Sequence, residues 1–566
     1  MSADEKLTAI QKRAQNSEAL APFVLDNLKP KLPLTFPRDP ELPPSPKPRY
    51  RSAYRYLGFD DLDEEMLETF SPFEIAVRLF DYSPLEPLLA AHIYAPSAKG
   101  QTPFHPVSMY LLSLYRRERD LSRHEALRIL RHPEDGQSLR CCTGFGELEQ
   151  FEGQFPSESG LRYFEGQLTP ELQMEINALQ FDMLYQAGLL PVEPEAEEKA
   201  SLSFDGMLHQ ARSHMRCSSV KADCYEPAPR PCPAKKKGKR GCDCDGEACA
   251  DTCRHATPLD PGARLIVYSG NNKRARTSSN ELLQPQNRPS RVSRLVYGYY
   301  SYAGQLLDDE LATYWMLPAA LGSATCGDSD LFPENFAYLQ TRFPWLEIGE
   351  VLADAGACEQ TCLDAIWDAG ALRMVDICAH KSDKDPDTRL ARGYDENGHP
   401  LCPFGYVLRS NGYDYRRRRA KWRCAKRCRR DSERPVPECD YLKAERKHGY
   451  TVTVGHTHAD GTVRLAREIA YGSHAWKERY GRRNSAESRN SVLERIGLKR
   501  MPVHGQDACH VTVLQGDLVA NQRTLVRLIR EATACREAKA CREATACREA
   551  TACREATACR EATGRR

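Results

Sequence analysis

From Leu202 onward the chain alternates short apolar, aromatic runs with helix-like stretches. That alternation confines it to an α/β architecture, a mixed sheet with helices on its faces. Leu202-Ser-Phe204 reads as a short strand ending at Asp205. Arg264 to Tyr268 and Leu295 to Tyr300 read as strands, being rich in β-branched and aromatic residues. A helix is expected over Asp309 to Leu321, then a strand over Leu346 to Ala353 that ends at Asp354. A helix over Cys358 to Ala369 and a strand over Leu372 to Ile377 follow. Two stretches, 212–260 and 390–465, break this rhythm and are treated as insertions in a sheet domain covering 200–525.

The chain has 566 residues, enough for several structural units, and its 41% hydrophobic content supports a core. Residues 1–60 are Pro-rich and charged (Leu42-Pro-Pro-Ser-Pro-Lys-Pro-Arg49), which predicts an extended, poorly packed arm. Residues 61–190 read as helical, with helices over Pro106 to Tyr115, Leu121 to Leu130, Ser157 to Leu168 and Pro170 to Leu189. Short helices joined by tight turns fit a DNA-binding helix-turn-helix unit, and equally any small helical domain. No run approaches the roughly 18 apolar residues of a membrane helix, so no membrane partner is expected. Met1-Ser-Ala-Asp-Glu-Lys6 lacks a leader pattern, so a cytoplasmic location is the expectation.

The tail, 530–566, repeats Arg-Glu-Ala-Thr-Ala-Cys with one Lys variant. Six residues turn a helix by about 600°, so successive cysteines fall on different faces and no coiled-coil seam forms. Cys535, Cys541, Cys547, Cys553 and Cys559 are expected to be exposed thiols.

Net charge is only +2, but Arg416 to Arg430 is a dense basic run with Trp422 embedded in it. Arg416, Arg417, Lys421 and Arg423 are candidate phosphate-backbone contacts, with a solvated basic loop as the rival reading.

The residues with chemical promise are carboxylates. Asp205 and Asp354 each stand at an expected strand end before a Gly-containing turn (Asp205-Gly206; Asp354-Ala-Gly356). Adjacent strands would bring them together, where two ionised carboxylates repel unless a cation neutralises them. Oxygen ligands of this kind select Mg2+ or Mn2+. Glu487 would complete a site for two ions, of the sort that cleaves phosphodiesters. It lies in Tyr480-x2-Arg483-x3-Glu487, where a continuous helix would set Arg483 and Glu487 on one face. There the Arg483 guanidinium could grip a phosphate. The plainer account is a salt-bridged surface helix and two turn aspartates.

This order of residues resembles insertion-sequence transposases of the DDE class, more narrowly the subgroup with a Tyr-Arg-Glu-Lys signature. The likeness covers about residues 70 to 525. It includes Pro106 to Leu168, Cys253 to Arg264, Gly298-Tyr-Tyr300, Ala353-Asp-Ala-Gly356, Leu401-Cys-Pro-Phe-Gly405 and Lys421-Trp-Arg-Cys424. The resemblance implies a ribonuclease-H-like catalytic domain, with Asp205, Asp354 and Glu487 holding two Mg2+ or Mn2+ ions. It implies Tyr480 and Arg483 acting on DNA or on the metal-binding helix. Element ends and target DNA would be the partners, and pairing two ends would need a homo-oligomer. One departure stands out: Glu494 occupies the place of the signature Lys, and Arg495 follows it as the candidate basic contact. The alternative is a decayed, catalytically inactive DNA-binding protein stabilised by zinc.

The chain has 23 cysteines. Cys402, Cys424, Cys428 and Cys439 give Cys-Pro-x-Gly, a gap, Cys-x3-Cys and a later Cys, a candidate set of four thiolates for Zn2+. Cys217, Cys224, Cys232, Cys242, Cys244, Cys249 and Cys253, with His255, are spaced irregularly around a Lys-rich run. A disordered basic loop competes with a second zinc site there.

Overall fold

The computed structural model describes residues 17–44, 49–94, 100–192, 199–212, 260, 262–270, 292–376, 393–395, 399–414, 416–417, 419–433, 438–439, 441, 449–455, 468–469, 471, 473–485 and 487–563. Residues 213–259 of the first cysteine-rich insertion, with all of its cysteines and His255, therefore fall outside the described residues. The chain divides into two compact units, one of residues 1–191, 308–315 and 515–566, the other of 192–307 and 316–514.

The first unit is largely helical. Its helices Pro106–Glu118, Arg123–Arg131, Glu158–Gln167 and Pro170–Gln186 lie where the apolar periodicity places them. Their starts follow local chemistry. Ser122 and Glu125 form a reciprocal capping box, and the Ser157 and Thr169 hydroxyls accept from the backbone N–H of Gly160 and Leu172. Every residue of Pro106–Glu118 is buried. Glu165 receives Arg116 at 2.8 Å and Arg123 at 2.5 Å, tying three helices together.

The N-terminal arm corrects the expectation of poor packing. Leu20, Phe23, Leu25, Leu28 and Phe36 are buried, and strand β1 (Leu34–Thr35) pairs in parallel with β2 (Phe80–Asp81). Apolar residues between the prolines supply contacts that the Pro content obscured. The tail differs as well. Gln506–Thr563 is one helix, in which Ala532 and Thr533 are buried and Cys535 is half-buried. Arg536 bonds Asp26 and Glu64, both at 2.5 Å, so the start of the repeat is packed and ion-paired. The side chains of Cys541, Cys547, Cys553 and Cys559 lie outside the described residues.

The second unit is mixed α/β with a mixed sheet. Its strands are β3 (Ala200–Gln210), β4 (Arg264–Gly270), β5 (Val292–Asp308), β7 (Ala320–Ser323), β8 (Ile348–Ala353) and β9 (Leu372–Val375). The short β6 (Thr313–Met316), which begins in the residues of the first unit, precedes β7. The order is β4-β5-β3-β8-β9, with β7 also pairing β5. β3 runs antiparallel to β5 and parallel to β8, and β8 runs parallel to β9. Helices Asp328–Arg342 and Gln360–Asp368 make the crossovers that parallel pairing demands. Phe332 and Phe336 of the first crossover pack against Phe204 and Tyr302 of the sheet, with ring centroids 5.0 to 6.3 Å apart.

One element differs from expectation. Asp309 to Leu321 is not a helix. Asp308 Oδ1 accepts from Leu311 N at 2.9 Å, Ala312 takes φ +46°, and the chain turns directly into β6. Thr-Tyr-Trp suits a strand, and Pro318 bars a helix from continuing. The helix of this region starts instead at Asp328. The second insertion holds a smaller sheet, β10 (Arg409–Asp414), β11 (Arg419–Arg423) and β12 (Thr451–Val454), with a core of Leu408, Ala420, Trp422 and Val454.

Candidate active site

Asp205 is not at a strand end: β3 continues through it to Gln210, paired with β5 along its length. The Asp-Gly pair resembled a turn, but Gly206 is there for space. A Cβ on Gly206 would lie 1.7 Å from the Tyr300 hydroxyl oxygen. Asp354 does follow its strand directly, and its Oδ1 accepts from Gly356 N at 2.8 Å. Because β3 and β8 are parallel neighbours, both acids rise on the same side of the sheet.

They meet at Arg483. One of its terminal nitrogens stands 3.0 Å from Asp205 Oδ1 and 3.7 Å from Asp354 Oδ2. Asp205 is 12% exposed and Asp354 43%. Burial pushes the Asp205 carboxyl above the usual carboxylate range. The Arg483 charge opposes that rise, and Asp354 adds to it.

Arg483 does not share a continuous helix with Glu487. Helix His474–Gly481 gives way to a 3-10 turn, Arg482–Ser485, and a new helix, Glu487–Arg495, begins at Glu487. Gly481 and the Asn484-Ser485 pair weaken any helix running through this stretch. The turn is anchored on β8: Arg482 bonds Glu350, which also receives Arg479 at 3.3 Å. Asn490 donates to Asp205 Oδ2 at 2.8 Å and to Gly206 O at 3.2 Å. Leu493, Ile496 and Leu498 pack on Met207 of β3. His209, which burial lowers to a pKa of about 4, is neutral. Its Nδ1 donates to Leu498 O at 2.7 Å, leaving Nε2 to accept from Ser301. Glu487 thus opens a helix held to β3 beside Asp205, three residues before Asn490. The Glu487 side chain lies outside the described residues.

The structure adds residues that the sequence did not single out. Asp328, at the start of its helix, accepts from the Tyr300 hydroxyl. It is pushed up to a pKa of about 8, first by burial and then by Asp354, against which its carboxyl lies. A Cβ on Gly356 would come 2.0 Å from Asp328 Oδ2. Asp328 and Asn490 carry no sequence signal separating them from any helix-start acid or helix amide. Tyr480 stacks on Trp476, with centroids 4.3 Å apart and planes 16° apart, and burial raises its pKa.

Of the other basic candidates, Arg495 is exposed. Glu494 pairs with Lys499. Arg416 and Arg417 are exposed in the β10–β11 turn, and Lys421 and Arg423 lie on the face of β11 opposite Trp422. Trp422 is buried in the small core, which corrects its reading as part of a phosphate-facing surface. Period-two alternation sends Ala420 and Trp422 inward and the cations outward. Cys402, Cys424, Cys428 and Cys439 line one cavity beside this sheet.

Among the described residues, no group of three or more His, Cys, Asp or Glu stands ready-arranged for a metal ion. No helix among them is long and apolar enough to cross a membrane. The chain matches no protein-family model, no curated protein and no solved structure.

Proposed function

We propose that the chain is a DDE-class DNA transposase with a ribonuclease-H-like catalytic domain, cleaving DNA phosphodiesters and joining the freed 3′-hydroxyl to target DNA. The observation that carries the reading is the meeting of Asp205 and Asp354, from neighbouring parallel strands, at one Arg483 nitrogen. Support also comes from the helix that begins at Glu487, held to Asp205 by Asn490.

The donor set fits Mg2+ or Mn2+ in kind: Asp205 and Asp354 bring hard carboxylate oxygens together, and Glu487 opens the helix held beside Asp205. Bound there, such ions would activate a water or 3′-hydroxyl and neutralise the leaving oxygen. The residues of the chain do the rest. Arg483 neutralises Asp205 and Asp354 in the absence of other cations, and is placed to turn its guanidinium to a DNA phosphate. A proton on Asp328, pushed up by burial and by the neighbouring Asp354, relieves the remaining repulsion. Trp476 fixes Tyr480 alongside. The outward cations of β11 and its turn, with Arg495, would follow the DNA backbone. The helices of 61–190 are the proposed reader of the element ends, in a homo-oligomer that pairs two ends in the cytoplasm.

A second reading, an inactive DNA-binding protein, draws on the same geometry, because Arg483 already compensates the acids and Glu494 replaces the signature Lys. Nicking of supercoiled DNA with Mg2+ or Mn2+ separates the two. The transposase reading expects nicking by the wild type and none by Asp354→Asn; equal nicking by both, or by neither, rejects it.

A further inference from the structure

We infer that Cys402, Cys424, Cys428 and Cys439 form a structural Zn2+ site that holds the basic β10–β11–β12 module together. All four side chains line one cavity, and none is in a disulfide. They come from three chain segments: the loop before β10, the end of β11 with the turn after it, and the stretch before β12. Joining such segments is what a small sheet with a four-residue core needs.

The backbone around two of the cysteines is shaped for metal ligation. Lys426 takes φ +52° and its N–H donates to Cys424 Sγ at 3.2 Å, a turn that bends the chain around a sulfur and offers it a backbone hydrogen bond. Cys402-Pro-Phe-Gly405 makes a second tight turn. Gly405 has φ +76° and donates to Cys402 O at 2.8 Å, and Cys402 N donates to Tyr406 O at 2.8 Å. Cys424 N donates to Tyr450 O at 2.7 Å, fixing the end of β11 against the residue that precedes β12. An N–H aimed at sulfur stabilises a thiolate, the form that binds zinc.

The thiols surround the cavity without yet converging on one point. Zinc binding would draw them inward by side-chain rotation. Four thiols would then release four protons to give a tetrahedral Zn–S4 centre of net charge −2. Lys426, Arg427 and Arg429 stand next to the ligands in the chain and suit that charge. Nothing in this assignment depends on DNA cleavage.

The test is residue-resolved alkylation of the native full-length chain by iodoacetamide, before and after removal of zinc by a strong chelator, mapped by mass spectrometry. Cys402, Cys424 and Cys439, all half-buried, are expected to resist labelling with zinc and to become labelled together without it. Exposed Cys141 should label throughout. The Cys424→Ser/Cys428→Ser double variant should contain one zinc equivalent less than wild type. Labelling of the three cysteines that ignores zinc overturns the proposal, as does an unchanged zinc content in the variant. If the variant fails to fold, labelling of the wild type still decides.

Discussion

Arg483 donates to Asp205 Oδ1 at 3.0 Å, joining a turn after one helix to the middle of the central strand. The same nitrogen reaches toward Asp354. A guanidinium in this position does for the folded chain what a metal ion would do in a loaded site. It makes two neighbouring carboxylates tolerable within the protein.

Arg483→Gln should therefore leave Asp205 buried beside Asp354 with its main compensating charge gone. Breaking a largely buried pair of this kind costs up to about 3 kcal/mol. The loss should be greatest at neutral pH. Burial already raises the folded-state pKa of Asp205, and without Arg483 it rises further, so protonation at lower pH relieves the penalty. Urea unfolding at about pH 7.5 and about pH 5 checks this, with the larger deficit expected at the higher pH.

Asp328 gives a separate pH signature. Its folded pKa of about 8 lies well above the ordinary 3.8. Between those values the folded chain holds a proton that the unfolded chain has lost, so this group makes stability fall as pH rises through the window and level off above about 8. In Asp328→Asn that slope should disappear. A urea midpoint with the same pH dependence in variant and wild type would contradict the raised pKa of Asp328.

Gly356→Ala tests how tightly the acids are set. The added methyl would meet Asp328 Oδ2 at 2.0 Å and Asp354 Oδ1 at 3.0 Å. Relief requires moving a carboxylate, at a cost of about 1–3 kcal/mol, typical of overpacking. Metal-dependent nicking should drop well before the fold is lost, which circular dichroism alongside the nicking assay would show.

In the basic hairpin, charge and packing separate by residue. Arg416→Ala and Arg417→Ala should weaken DNA binding alike on all sequences and lower the salt slope by about 0.9 per lost phosphate contact. Trp422→Ala should act differently. Its ring is buried in the small core, so truncation should cost about 3–5 kcal/mol and unfold the module. Fluorescence anisotropy across a salt series, with thermal melts of the same variants, distinguishes the two effects.

Much of this arrangement was legible in local patterns. The helices of 106–186 announce themselves by apolar period and by Ser and Thr caps, and β8 ends at Asp354 as its apolar run ends. What the sequence hid depends on distant partners. Asp205-Gly206 looks like a turn until Tyr300, nearly a hundred residues away, is seen filling the space beside the glycine. The helix break at Arg482–Ser485 is favoured locally by Gly481 and Asn484-Ser485, but its place is set by Arg482 and Arg479 reaching Glu350 on β8, a partner far away in the chain. Asp328 enters the site only because its helix packs on the sheet beside Asp354. Arg483, read as a phosphate ligand, spends its charge on the acids in this state.

The most direct test of the central claim is to count bound Mn2+ by electron paramagnetic resonance on the full-length chain, comparing wild type with Asp205→Asn, Asp354→Asn and Glu487→Gln. If these carboxylates share a metal site, wild type binds Mn2+ and each variant loses bound ion in parallel with its DNA nicking. Mn2+ binding that is absent in wild type, or unchanged in all three variants, would contradict the account.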